Sequence, residues 1–71
     1  MARKVDGARL CQRRHIAGLT QKEAAERMKA EGASVDYRNW SKWERDLMHP
    51  APGKVPVLAR VLGCNEEDLF A

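Results

Sequence analysis

The sequence predicts an all-α fold, a compact domain of five short helices. Residues that favour helix starts and helix stops alternate along the whole chain of 71 residues, and the segments between them are rich in alanine and other good helix formers. No β-hairpin pattern, internal repeat or low-complexity tract competes with this interpretation. A chain of this length suits one domain. We therefore expect residues 1–71 to form a single domain, with residues 1–5 as a basic, flexible arm.

The first two helices are defined by their capping residues. Asp6 is a typical N-cap for a first helix over residues 7–17. Thr20 and Glu23 have the spacing of a capping box, in which each side chain accepts the backbone N–H of the other residue. They predict a second helix over residues 21–31, and a glycine follows each of the two helices, where it favours a stop.

The third helix carries the most distinctive apolar pattern. Asp36 is its predicted N-cap, and the helix is expected over about residues 37–46. Trp40, Trp43 and Leu47 follow at the i, i+3 and i+7 spacing of one helix face. We expect both tryptophans to lie in the core, Trp40 more completely than Trp43, rather than to stack on nucleic acid.

Two shorter helices are predicted after a loop rich in proline and glycine. The fourth helix runs to Leu62, and Pro56 is tolerable only in its first turn. Asn65 is a predicted cap for the last helix, with Asp68 at its third position. These assignments complete the five-helix count.

Composition excludes several classes of protein. The longest apolar runs are too short for a membrane-spanning helix, and no apolar stretch follows the basic N-terminus. We therefore expect a cytoplasmic protein in which Cys11 and Cys64 stay reduced. No Cys or His spacing typical of a metal site occurs, and no catalytic signature is present. We expect no metal, no cofactor and no enzymatic activity.

The net charge of +3 is distributed unevenly along the chain. Residues 1–22 are strongly basic, whereas residues 61–71 contain acidic residues and no basic ones. A basic end suggests a polyanion as partner. Charge alone is more often explained by an ordinary solvated surface, so the motifs must decide between these two interpretations.

Four fragments carry a resemblance to a known family. They are GLTQ at residues 18–21, WSKWE at residues 40–44, LARVLG at residues 58–63 and DLF at residues 68–70. In this order they resemble the Cro and lambda-repressor-like (Xre) family of helix-turn-helix DNA-binding domains, over residues 8–70. The resemblance implies a sequence-specific transcription regulator, a repressor that binds a palindromic operator in double-stranded DNA as a homodimer. Small members of the family are often phage or mobile-element regulators, and some are antitoxins.

The resemblance also implies which residues contact DNA, because the third helix of such domains reads the major groove. The expected base-reading residues are Tyr37, Arg38, Asn39, Ser41 and Lys42. Arg38 suits a guanine edge, Asn39 suits an adenine edge, and Tyr37 suits a thymine methyl group or a phosphate. The expected phosphate contacts are Thr20, Gln21, Arg14 and Arg45.

The chain departs from the family pattern at three places. Five extra residues fall within residues 29–33, which predicts a longer second helix and a looser turn after it. Arg13 occupies the usual place of a core leucine, so either the first helix rotates or Arg13 extends outward along its stem. Pro56 predicts a late start of the fourth helix.

Leu69 and Phe70, at the acidic end, are the expected dimer contact. The alternative function is an antitoxin-type protein-binding module, for which the same two residues would form the working surface. A structural fragment of a larger assembly is a further alternative, and it predicts no salt-dependent binding to DNA.

Overall fold

In a computed structural model, which describes residues 4–70, the chain forms four α-helices and, within those residues, no β-strand. The helices are α1 (Gly7–Ile16), α2 (Gln21–Ala30), α3 (Tyr37–Glu44) and α4 (Val55–Leu62). Two short 3-10 turns, Pro52–Lys54 and Glu66–Leu69, precede and follow α4. The predicted all-α class is confirmed.

The predicted caps begin three of the helices. The carboxylate of Asp6 accepts a backbone N–H in the first turn of α1, at 3.2 Å. Thr20 and Glu23 form the complete capping box of α2, with distances of 3.1 and 3.0 Å. Asp36 accepts a backbone N–H at the start of α3, at 2.8 Å. Each cap satisfies an N–H that has no partner within the helix, and it thereby fixes where the helix begins.

The count of five helices is wrong, because the last predicted helix is the 3-10 turn of four residues, Glu66–Leu69. Asp68 does accept the backbone N–H of Asn65, at 3.0 Å, as the predicted cap requires. The next residue, Phe70, has an extended backbone and forms an isolated antiparallel bridge with Val5. The chain therefore leaves the turn before an α-helix can form.

The same bridge corrects the boundary of the N-terminal arm. Val5 is 2% exposed and belongs to the core, and the N–H of Asp6 donates to the carbonyl oxygen of Leu69 at 2.8 Å. Val5 is therefore not part of a flexible arm. Arg3, which supplies part of the arm's predicted charge, lies outside the described residues.

The core draws on all four helices and both ends of the described chain. Both tryptophans are buried, Trp40 completely and Trp43 to 97%, and their ring centroids lie 5.6 Å apart. Their predicted core position is confirmed. The core cluster consists of Val5, Leu10, Leu19, Ala24, Met28, Trp40, Trp43, Val55, Leu58, Leu62 and Leu69.

The apolar face of α3 is shorter than predicted. The helix ends at Glu44, and Asp46 adopts a left-handed backbone with φ of 57°. This conformation turns the chain away before Leu47, which is 65% exposed. The prediction that Leu47 continues the apolar stripe is therefore wrong.

The connection between α2 and α3 spans residues 31–36, which is longer than the three or four residues common between closely packed helices. Ala33 and Val35 are partly buried and pack against the core. The ammonium group of Lys54 donates to the carbonyl oxygen of Ser34 at 3.4 Å and lies 5.8 Å from the centroid of the Trp43 ring. This connection is therefore attached to the core.

The structure also gives the positions of Arg13, Pro56 and the two cysteines. Arg13 is one-third exposed and pairs with Asp68 at 3.5 Å, so its side chain extends outward rather than into the core. Pro56 lies in the first turn of α4, as predicted. Cys11 and Cys64 are free thiols. Across residues 4–70, no helix is both long enough and apolar enough to cross a membrane.

Candidate nucleic-acid interface

Helix α3 has one buried face and one exposed, cationic face. Trp40 and Trp43 anchor it in the core. Arg38, Lys42 and Arg45 are exposed, and their spacing of four and three residues places them on one side of the helix. The short helix, together with Arg45 directly after its end, therefore presents a row of three positive charges on the side opposite the core contacts. We refer to Arg38, Lys42 and Arg45 as the cationic row.

Three of the five predicted base-reading residues, Tyr37, Arg38 and Lys42, are exposed on α3. Tyr37 is 46% exposed, whereas Asn39 and Ser41 are half-buried beside the cationic row. The guanidinium carbon of Arg38 lies 5.8 Å from the centroid of the Tyr37 ring. A hydrogen bond with Tyr37 is the main cause that raises the pKa of Arg38, and the nearby Asp36 charge adds to it. Arg38 therefore remains a cation.

The carboxylate of Glu44, the last residue of α3, joins three elements of the fold. Glu44 accepts from the Nε of Arg14 at 2.6 Å and from its Nη2 at 3.0 Å. It also accepts from the Nε2 of Gln21 at 3.1 Å and from the indole N–H of Trp40. Glu44 thus ties α1, the start of α2 and the buried face of α3 together.

Electrostatics keep this cluster charged. The Glu44 side chain is 5% exposed, and burial raises its pKa, but hydrogen bonds from Arg14, Trp40 and Gln21 outweigh burial and leave the pKa below its usual value. The hydrogen bond to Glu44 is the main cause that raises the pKa of Arg14. Both groups are therefore ionised at neutral pH. Within the described chain, no buried side-chain nitrogen or oxygen lacks a hydrogen-bond partner.

The lowered pKa of Glu44 predicts a specific acid sensitivity. A glutamate in the unfolded chain titrates at about pH 4.3, so on acidification the unfolded state takes up its proton before the native state does. The stabilisation is complete above that pH and is lost as the pH falls through the native pKa. We expect the free energy of unfolding, measured by urea titration between pH 7 and pH 3, to fall less steeply in Glu44→Gln than in the parent. Equal slopes below pH 4.5 in both proteins would contradict this expectation.

The structure overturns one predicted phosphate contact. Arg14 is only 9% exposed, and its Nη1 donates to the carbonyl oxygen of Leu19 at 2.9 Å. Its other nitrogens are engaged by Glu44, by Cys11 at 3.8 Å and by His15 at 3.1 Å. The guanidinium therefore lies in the interior, hydrogen-bonded to other residues of the chain, and cannot contact a DNA backbone.

The other predicted phosphate residues lie on exposed parts of the molecule. Thr20 is exposed, and its hydroxyl accepts the N–H of Glu23. Gln21 is half-buried at the start of α2, where Glu44 fixes the direction of its amide. Arg45 belongs to the cationic row. The structure thus brings Gln21 and α3 together through Glu44, a residue that sequence reasoning treated only as part of a motif.

One of the two predicted dimer residues is not at the surface. Leu69 is fully buried within its own chain, because the 3-10 turn directs it toward the core, and the prediction of a dimer contact there is wrong. Phe70 is half-buried and packs against the edge of the core. Of the two predicted residues, Phe70 alone retains exposed surface that a second copy could contact.

Among residues 4–70, no three His, Cys, Asp or Glu side chains are grouped as metal ligands would be.

In comparisons with known proteins, no family model, no curated protein and no solved structure matches the chain. What the protein does must therefore be inferred from its own residues.

Proposed function

We propose that this protein is a sequence-specific regulator of transcription that binds double-stranded DNA through a helix-turn-helix, with α2 and α3 as its two helices. The observation that carries the proposal is the division of α3 into two faces. Trp40 and Trp43 hold one face in the core, and the cationic row lies on the other. A rigidly held helix with positive charge on its free side suits the major groove, whose width admits an α-helix.

The residues of α3 divide into two chemical roles. Arg38, in the first turn, has a guanidinium that can bind the O6 and N7 atoms of guanine, and Asn39 can bind the N6 and N7 atoms of adenine. Lys42 and Arg45, farther along the row, suit phosphates. The free N–H groups at the start of α2, beside Thr20 and Gln21, favour a phosphate as well. Contacts of both kinds are needed, because phosphates set the position and bases give the specificity.

Such a small domain reads few base pairs, so we propose that it binds as a homodimer to a palindromic operator. Twofold symmetry would place two half-sites about 34 Å apart, one turn of DNA. Occupation of a promoter by the dimer would repress transcription sterically. Phe70, which is exposed in part, is the proposed dimer contact.

A protein-binding function of the antitoxin type is the second candidate. Leu47 and Met48, adjacent in the loop after α3, are 65% and 41% exposed, and exposed apolar residues can mark a protein contact. Leu69 is buried and is not available to such a partner. The second candidate predicts tight binding to a protein, with little preference among DNA sequences.

A selection from randomised duplexes, followed by affinity measurements across a salt series, separates the two candidates. We expect enrichment of a palindrome and a linear fall of log K with log salt, with a slope of about −0.9 for each phosphate contacted. Weak, sequence-independent binding without enrichment would contradict the proposal and favour the protein-binding candidate.

The variant Arg38→Ala tests the reading role of α3. We expect affinity for the enriched site to fall about 5- to 150-fold and specificity to relax at one base pair in each half-site. The matched control is Arg60→Ala on α4, which removes the same charge from an arginine paired with Glu31. An equal loss for all DNA sequences would show that Arg38 contacts only phosphate, and equal effects of both variants would contradict the role of α3.

A further inference from the structure

The side-chain amide of Gln21 has a fixed direction in the structure. Its Nε2 donates to the Oε1 of Glu44 at 3.1 Å. Burial raises the pKa of Glu44, but hydrogen bonds, the strongest from Arg14, hold that pKa below its usual value. An ionised carboxylate accepts hydrogen bonds and donates none. The nitrogen of the Gln21 amide, and not its oxygen, must therefore face Glu44.

This arrangement leaves the oxygen of the Gln21 amide directed away from Glu44. Within residues 4–70 that oxygen accepts no hydrogen bond, and no buried side-chain oxygen there lacks a partner. Because Gln21 is half-buried, its oxygen belongs to the part of the side chain that reaches the surface. The amide therefore presents to a ligand one acceptor, the oxygen, and one donor, the second hydrogen of Nε2.

The amide lies beside α3. Glu44, which it contacts, is the last residue of that helix, and Ser41 stands one helical turn earlier on the same side. Ser41 is half-buried next to Lys42 of the cationic row. Gln21 thus flanks the helix face that the proposed function directs toward base edges.

We infer that Gln21 reads an adenine in the target DNA, and that Glu44 is the positioning residue that sets this preference. The inference rests on the proposed function, because it takes α3 to lie in the major groove. In that groove adenine presents the N6 amino donor beside the N7 acceptor, whereas guanine presents two acceptors, O6 and N7. The acceptor and the remaining N–H of Gln21 match adenine, and the same amide in the same direction meets guanine with oxygen against oxygen.

A phosphate is the contact expected for Gln21 from the sequence, and the geometry of its side chain disfavours it. Phosphate oxygens accept hydrogen bonds from the protein, so the outward oxygen of Gln21 gains nothing from them. A phosphate on the remaining N–H would stand close to the ionised carboxylate of Glu44, and like charges at short distance repel. The backbone N–H groups at the start of α2 remain available to a phosphate.

Base replacement in the enriched duplex, combined with a variant of Gln21, tests the preference. Each adenine is replaced singly by guanine, by purine, which lacks the N6 amino group, and by 7-deazaadenine, which lacks N7. At one position per half-site we expect guanine to lower the affinity about 5- to 150-fold, and both analogues to lower it as well. In Gln21→Met, which has no hydrogen-bonding amide, the affinity ratio of adenine to guanine at that position should be about one. Asn39→Ala is the control, and it should leave that ratio unchanged.

The variant Glu44→Gln tests the positioning role. A glutamine side chain donates as well as accepts, so the amide of Gln21 becomes free to turn and to offer both of its hydrogens to guanine. We expect the adenine-to-guanine ratio at the Gln21 position to fall toward one. Glu31→Gln, at the exposed pair with Arg60, is the matched control and should leave the ratio unchanged.

Each ratio compares two duplexes with one protein preparation, so a partial loss of folded protein cancels. An equal loss of affinity for all duplexes in Gln21→Met would identify a phosphate contact and overturn the inference while leaving DNA binding intact. An adenine preference that persists in Glu44→Gln would overturn the positioning role of Glu44. Absence of any specific duplex binding would overturn the proposed function, and the inference with it.

Discussion

Replacing Glu44 by alanine should lower the free energy of unfolding by about 3–5 kcal/mol, the usual cost of removing one partner from a buried ion pair. The Glu44 and Arg14 side chains are 5% and 11% exposed, and their closest atoms are 2.6 Å apart. Without the carboxylate, the Arg14 guanidinium stays in the interior with its charge uncompensated. Gln21 and Trp40 also lose the oxygen to which they donate.

A loss of this size is a large part of the stability of a small domain, which is about 5–15 kcal/mol. Urea unfolding followed by tryptophan fluorescence measures it, because both tryptophans lie in the core. The matched control is Glu31→Ala. Glu31 is 45% exposed and pairs with Arg60 at 3.5 Å, and such surface pairs contribute less than about 1 kcal/mol. A loss in Glu44→Ala no larger than in Glu31→Ala would contradict the role assigned to the buried cluster.

The contacts of Glu44 also show which kind of interaction the sequence does not predict. Local features such as the caps at Asp6, Thr20 and Asp36 are decided by neighbouring residues, and all three could be predicted. The link between Arg14 and Glu44 joins residues thirty positions apart, and no local rule indicates it. The one sequence feature related to this contact is helical spacing. Arg14 lies four residues after the buried Leu10 and therefore on the same side of α1.

The candidate interface shows the same division between local and long-range information. The exposed face of α3 follows from the spacing of Trp40 and Trp43, so Arg38 and Lys42 could be placed correctly as surface residues. The positions of Leu69 and Phe70 could not, because an isolated bridge to Val5 decides which of the two faces inward. That bridge depends on a partner at the opposite end of the chain.

Replacing Gly7 by alanine should destabilise the domain by about 3 kcal/mol, although alanine is the better helix former by about 1 kcal/mol. A Cβ atom at Gly7 would lie 2.6 Å from the carbonyl oxygen of Glu44 and 2.7 Å from that of Trp43. Both atoms belong to the backbone at the end of α3, so no side-chain rotation relieves the contact. The first turn of α1 would have to move away from α3, and such overpacking costs about 1–3 kcal/mol or more.

The displacement would also break a hydrogen bond, since the N–H of Gly7 donates to the carboxylate of Asp46 at 2.9 Å. Asp46 holds the left-handed conformation that ends α3, so the close approach at Gly7 joins the start of one helix to the end of the other. Adding Asp46→Gly should not rescue Gly7→Ala, because the two shortest contacts are with carbonyl oxygens.

Gly53→Ala provides the matched control for thermal and urea unfolding. No atom lies within 4 Å of the position that its Cβ would occupy, so we expect a change within about 1 kcal/mol and toward higher stability, through the less flexible unfolded chain. If Gly7→Ala unfolded at the same denaturant concentration as the parent, α1 and α3 could not be packed as closely as the structure has them.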